Sequence, residues 1–144
     1  NNYAGVIMLT IEASQGMIRL LRDYSLPVVL VNRFIRTLDM DVVCIDNYRG
    51  GYMAANHLLS KGHRKIAYLA GKHSSSAQQD RLKGFSDAMA DAGLDFPEKN
   101  VFWGDNSRGC GKVFVNQFFA VANRYTAVFA ANNPMAAGAV NRLL

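Results

Sequence analysis

Six short apolar runs punctuate the chain, at residues 5–9, 28–31, 42–45, 65–70, 101–103 and 126–131, each bounded by polar, Gly or Pro residues. They are continuous rather than alternating, which is the pattern of strands buried on both faces. Between most of them residues return at helical spacing: Ile18, Leu21 and Arg22; Ala54, Ala55, Leu58 and Leu59; Leu82, Phe85 and Met89; Val113, Phe114, Phe118 and Val121. Strand and helix alternate, so the pattern predicts an α/β fold on a largely parallel sheet. Gly62 after Lys61 and Gly93 after Ala92 stand where a helix end needs a residue that accepts positive φ. Asn133 before Pro134 reads as an N-cap followed by a proline at the first helical position. Residues 32–41 are too few for a crossover helix, so an irregular connection is expected there.

Composition adds exclusions. With 144 residues, of which 50% are hydrophobic, the chain can bury a globular core and is neither disordered nor collagenous. A mean hydropathy of −0.01 and the lack of any long uninterrupted apolar run exclude a membrane-spanning helix. Lys and Arg number 16 against 11 Asp and Glu, a balance of +5. A nucleic-acid footprint would cluster, whereas Arg19, Arg22, Arg33, Arg36, Arg49 and Arg64 lie scattered among acidic neighbours, as solvated charge does. The chain opens on Asn1-Asn2-Tyr3, without a starting Met or signal pattern, and closes inside Ala139-Val140-Asn141-Arg142-Leu143-Leu144, an apolar helical stretch. Both ends are expected to be cut.

Most candidate chemistry fails on spacing. Cys44 and Cys110 form no CxxC pair, so neither zinc nor a redox couple is expected, and Cys44 reads as a buried free thiol. His57, His63 and His73 lack metal-binding spacing and read as helix surface or loop. Residues 104–113 follow a strand and precede a helix, but Asn106, Val113 and Phe114 stand where phosphate-cradling loops need other residues. Ser74-Ser75-Ser76 lacks a nucleophile elbow and reads as a flexible polar loop.

Position says more than motif. Ligands of open parallel sheets bind beyond the carboxyl ends of the strands. There the sequence places Asn32, Asp46 with Asn47, a loop leading to Arg81, Asp105 with Asn106, and Asn132 with Asn133. Amides, carboxylates and a guanidinium suit a polyhydroxylated ligand, whose hydroxyls donate and accept, although Asn and Asp also serve as ordinary turn and cap formers.

The words along the chain also match a known family. Val42-Val43-Cys44-Ile45-Asp46-Asn47-Tyr48-Arg49-Gly50-Gly51, then Ala54-Ala55-Asn56-His57-Leu58-Leu59 and Gly62-His63-Arg64-Lys65-Ile66-Ala67-Tyr68-Leu69-Ala70-Gly71, are followed by Arg81-Leu82-Lys83-Gly84-Phe85, Gly104-Asp105 and Ala130-Ala131-Asn132-Asn133-Pro134. With Leu26-Pro27-Val28-Val29-Leu30-Val31-Asn32-Arg33 upstream, this ordered series closely resembles the effector-binding domain of the lactose/galactose-repressor family of bacterial transcription regulators.

The resemblance implies a periplasmic-binding-protein-like fold, two α/β lobes around a cleft. Residues 1–46 would be the later part of the N-terminal lobe and residues 47–144 most of the C-terminal lobe, with the DNA-binding headpiece absent. It further implies Arg81 as a guanidinium clamp on ligand hydroxyls, Asn32 as a second ligand residue, and Ile45 or Asp46 at the crossover between lobes. The sequence departs from the family at two places. Asn133 stands where most relatives have Asp, and Asn106 where several have an aromatic ring that stacks on the ligand. Losing that ring favours a sugar over a purine.

The expected protein is a ligand-responsive regulator, most simply a repressor, in which a sugar or sugar derivative between the lobes controls operator DNA binding by a helix-turn-helix outside this chain. It would be a cytoplasmic homodimer without cofactor, metal, membrane contact or enzymatic activity. The alternative is a periplasmic sugar-binding protein of a transport system.

Overall fold

Parallel strands joined by helices account for most of the chain in the computed structural model, which describes residues 4–9, 14–23, 27–32, 34–35, 37–120 and 124–144. Strands β1 (Val6–Leu9), β2 (Val28–Val31) and β3 (Asp41–Val43) form one three-stranded parallel sheet in the order β1-β2-β3. Strands β4 (Ile66–Ala70), β5 (Val101–Trp103) and β6 (Ala127–Ala130) form a second, in the order β5-β4-β6. Helix α1 (Gln15–Asp23) lies between β1 and β2 in sequence, and α2 (Asn47–Ser60), α3 (Ser76–Asp91), α4 (Arg108–Ala120) and α5 (Asn133–Leu143) accompany the second sheet. β2 and β3 are neighbours in register Leu30 to Val42, and no helix occurs among the described residues of 32–40, as the short link requires.

The second sheet is covered on both faces. All five residues of β4 are buried. Their period-two alternation divides them: Ile66, Tyr68 and Ala70 pack with Ala55, Leu59, Phe85, Ala88 and Met89, whereas Ala67 and Leu69 pack with Phe114, Val115, Met135 and Ala139. α2 and α3 therefore seal one face and α4 and α5 the other, which is why β4 needs no polar position.

Each helix pair crosses closely through glycine. A Cβ on Gly51 would fall on the Arg81 carbonyl, and one on Gly84 would fall on the Tyr48 carbonyl. Gly111 and Gly138 make the same reciprocal approach between α4 and α5, against Met135 and Arg108. The α2 and α3 crossing thus fixes the height of Arg81 on its helix against the start of α2. Helix ends follow their sequence signals, with Gly62 at φ 87 and Gly93 at φ 72 just beyond α2 and α3.

Four expectations change. β3 ends at Val43, so residues 44 and 45 are not strand, and Cys44 is exposed rather than buried because β3 is an edge strand with no buried residue. Ser75 is the 3% exposed N-cap of α3 and Ser76 its first residue, so only Ser74 of the serine run stands clear of the helix terminus. The cap of α5 is Asn132 rather than Asn133: the Asn132 side chain accepts from the Met135 amide at 3.0 Å, and the helix begins one residue before Pro134. Val121, read as part of the fourth helical face, lies outside the described residues.

Candidate functional site

The carboxyl ends of β4, β5 and β6 deliver Gly71, Gly104 and Ala131 side by side, where the ladder continues through the Gly104 amide to the Ala70 carbonyl and the Ala131 amide to the Leu69 carbonyl, both at 2.9 Å. Helices α3, α4 and α5 begin at this end of the second sheet because each follows one of its strands, and the start of α2, which follows β3, is tied to it through the bond from Arg81 to Asn47.

Arg81 sits one turn and a half into α3, half-buried, and reaches back over the strand ends. Its Nη1 donates to the Ala131 carbonyl and its Nη2 to Asn47 Oδ1 at 2.5 Å. Asn47, 7% exposed at the start of α2, passes the chain of bonds on by donating from Nδ2 to the Ile45 carbonyl at 3.2 Å. Gln78, three residues before Arg81 and so on the same helix face, is also buried. Its Oε1 accepts from the Gly71 amide at 3.4 Å and its Nε2 reaches the Ala131 carbonyl at 3.5 Å, both long bonds.

The opposite side of the same strand ends is built from two asparagines. Asn106 adopts φ 71, a left-handed conformation that Asn tolerates better than most residues. Its Oδ1 accepts from Asn132 Nδ2 at 2.8 Å and packs where a side chain on Gly71 would otherwise stand. Asp105 turns instead toward Ser107, whose hydroxyl and amide hold the Asp105 carboxyl below its usual range. Beneath the site, burial pushes the Tyr68 phenol well above its ordinary pKa, with the Arg81 charge opposing, and its hydroxyl has no hydrogen-bond partner among the described residues.

Of the residues expected in a site, Arg81 and Asn106 therefore meet around Ala131 and Asn132. Ile45 enters only through its carbonyl, its side chain being 66% exposed. Asp46 is exposed and caps α2 by accepting from the Arg49 amide at 2.8 Å. Asn32 follows β2 at φ 65, exposed, its amide donating to the Val43 carbonyl at 2.8 Å, and the exposed Asn133 side chain stands outside the network. Asn47 and Asn132, expected beyond the strand ends by position but assigned no ligand role, belong to the network, as does Gln78, which the sequence reading does not single out. Gln78 had one sequence signal, its three-residue spacing from Arg81, and Asn47 and Asn132 had their places just past strands.

Residues 2–144 match the family described as periplasmic binding proteins and sugar binding domain of LacI family. The chain belongs to that family. Among relatives of the LacI family, the HTH-type transcriptional regulator DegA of Bacillus subtilis is 36% identical over 94% of this chain and 41% of its own length. A regulatory protein of LacI family from Chloroflexus aggregans superposes with a TM-score of 0.85 at 28% identity, over 96% of this chain and 50% of that one. The transcriptional regulator CelR in complex with cellobiose does so with a TM-score of 0.84 at 30% identity, over 97% of this chain and 43% of that one. The fold is thus the periplasmic-binding-protein-like fold of LacI-family regulators, and the chain spans about half of those chains or less.

Proposed function

We propose that this chain is part of the effector-sensing unit of a bacterial transcription regulator, in practice a repressor, whose operator is read by a helix-turn-helix outside residues 1–144. Residues 1–46 form the later part of the N-terminal lobe and residues 47–144 most of the C-terminal lobe, with the effector between them. Arg81, Asn106, Asn133, Asn32, Asp46 and Ile45 are the residues we assign to the effector's surroundings, and Asn132 joins them. The observation that carries this reading is the half-buried Arg81 guanidinium held over the converged ends of β4 and β6 beside two amide side chains.

The effector is a sugar or sugar derivative, a reading supported by the cellobiose carried by the similar CelR. DegA, a regulator of the same family, supports gene control over transport. The protein acts in the cytoplasm as a homodimer and turns over no substrate. Binding that favours one lobe arrangement changes operator affinity by linkage, and a coupling of about 1–3 kcal/mol corresponds to roughly 5–150-fold.

The test is Arg81→Ala in the full-length protein, with an effector found by a thermal-shift screen of sugars. Each charge-assisted hydrogen bond lost removes about 1.5–3 kcal/mol, so the dissociation constant measured by calorimetry rises at least about tenfold. Unchanged affinity would remove Arg81 from the site and the reading with it.

A further inference from the structure

The face of the second sheet that α2 and α3 cover is left open at its edge. β5 is an outer strand, and alternation turns Val101 and Trp103 to that face. Leu82 on α3 and Phe96 in the loop after it join them, all four packed on the buried core from outside and each partly uncovered. These side chains line a cavity of about 340 Å³, a size at the lower end of small-molecule sites. The rest of its wall is polar: Ser86, one turn after Leu82, Glu98 at the start of the 3-10 turn Glu98–Asn100, and His73 in the loop after β4. The network around Arg81 uses none of these side chains.

Two groups in this wall lack partners. The Trp103 indole N–H is buried and meets no acceptor among the described residues. Buried donors are normally paired, and one left unpaired keeps its full desolvation cost. The exposed His73 ring lies nearly flat on the indole, with centroids 3.4 Å apart and planes 21° from parallel. Standing on a loop, that ring is free to turn aside and let an acceptor reach the indole nitrogen. Glu98 is the one carboxylate lining the cavity; it is exposed and makes no ion pair or side-chain hydrogen bond among the described residues.

An apolar, partly aromatic floor suits a ring, an unpaired carboxylate suits a cation, and an unmade indole bond suits an acceptor. We propose that this cavity is a second ligand site, separate from the strand-end site, and that it takes a small aromatic amine. The ring of the ligand packs on Leu82, Phe96, Val101 and Trp103, its ammonium meets Glu98, and an oxygen on its ring accepts from Trp103 Nε1. A polyol would set its hydroxyls against four apolar side chains, and an aromatic acid would meet Glu98 charge to like charge.

The experiment is calorimetry on the full-length protein with three phenols that differ at one end: tyramine, its alcohol counterpart tyrosol, and the acid 3-(4-hydroxyphenyl)propanoate. Tyramine binds with a dissociation constant below about 1 mM, as a ligand of that size allows. Tyrosol binds about threefold or more weakly than tyramine, a modest step because the ion pair is exposed, and the acid binds more weakly still. Glu98→Gln brings tyramine to the affinity of tyrosol and leaves tyrosol within about twofold, since the change removes only the charge. Ser86→Phe fills the cavity from α3 and abolishes the binding of both. In the N–H NMR spectrum of the unaltered protein, the indole signal that Trp103→Phe removes shifts when tyramine is added. Equal affinity for the three phenols, an indole signal that does not move, or tyramine binding that survives Ser86→Phe would each overturn the proposal.

Discussion

The strands of both sheets are mostly apolar, Val, Ile, Leu and Met in the first and Ile, Val, Leu, Ala and aromatic residues in the second, yet they meet different surroundings. Every residue of β4 is buried, whereas no residue of β3 is, and Ile7 and Leu9 of β1 are 70% and 62% exposed. Hydrophobicity of the strands does not explain the difference; what covers them does. α2 with α3 and α4 with α5 close the second sheet from two sides, and nothing equivalent encloses the first among the described residues. An apolar run states that a strand needs two covers, and only the rest of the fold says whether they are supplied.

The sharpest way to break that comparison is to cut one large side chain from each sheet's neighbourhood. Phe85 is fully buried and packs against the rings of Tyr68, Phe96 and Phe129 at centroid separations of 5.1, 5.2 and 5.4 Å. In the 144-residue chain, Phe85→Ala is expected to cost about 3–5 kcal/mol, through lost transfer energy and the cavity left behind. Ile7→Ala is expected to stay within about 0.5 kcal/mol, as surface changes do. Urea unfolding of both variants decides; equal losses would mean that the first sheet is as well packed as the second.

The fold was legible in the sequence to the extent that it depends on local pattern. Strand and helix alternation, the glycines beyond α2 and α3 and the irregular link after β2 all follow from residue type and spacing. Cys44 was misread because an apolar neighbourhood in sequence, Val42-Val43-Cys44-Ile45, became an uncovered sheet edge in space. The site was half legible. Arg81 and Asn106 stand where expected, but Asp46 spends an oxygen on capping α2, and Asn132, not Asn133, carries the cap of α5. Which atom of an amide is already engaged depends on backbone N–H groups brought from another turn, and a linear pattern does not carry that.

A medium-sized effect separates the two adjacent asparagines. Asn132→Ala removes the acceptor for the Met135 amide and the donor to Asn106, so a loss of about 0.5–2 kcal/mol is expected from the cap alone. Asn133→Ala touches an exposed side chain one residue later and is expected to change stability by less than about 0.5 kcal/mol. Thermal melts of the pair test whether the well-built carboxyl edge of the second sheet is held by Asn132; the reverse ranking would restore the cap to Asn133.

The smallest expected effect is electrostatic and belongs to the same edge. The Ser107 hydroxyl and amide hold the Asp105 carboxyl below its ordinary value, so folding favours the ionised form. A lowered folded-state pKa contributes stability that is complete above the unfolded value of about 4 and disappears as pH falls through the lower folded value. Because Asp105 is exposed, solvent screening keeps the contribution small. Asp105→Asn retains an oxygen for the Ser107 amide but cannot ionise. Wild type should therefore be slightly the more stable near neutral pH, and the gap should close as acid is added, when stability is followed by denaturant titration from about pH 7 to pH 2. A gap that persists unchanged at the acid end would assign the effect to the shape of the turn and not to the carboxylate charge.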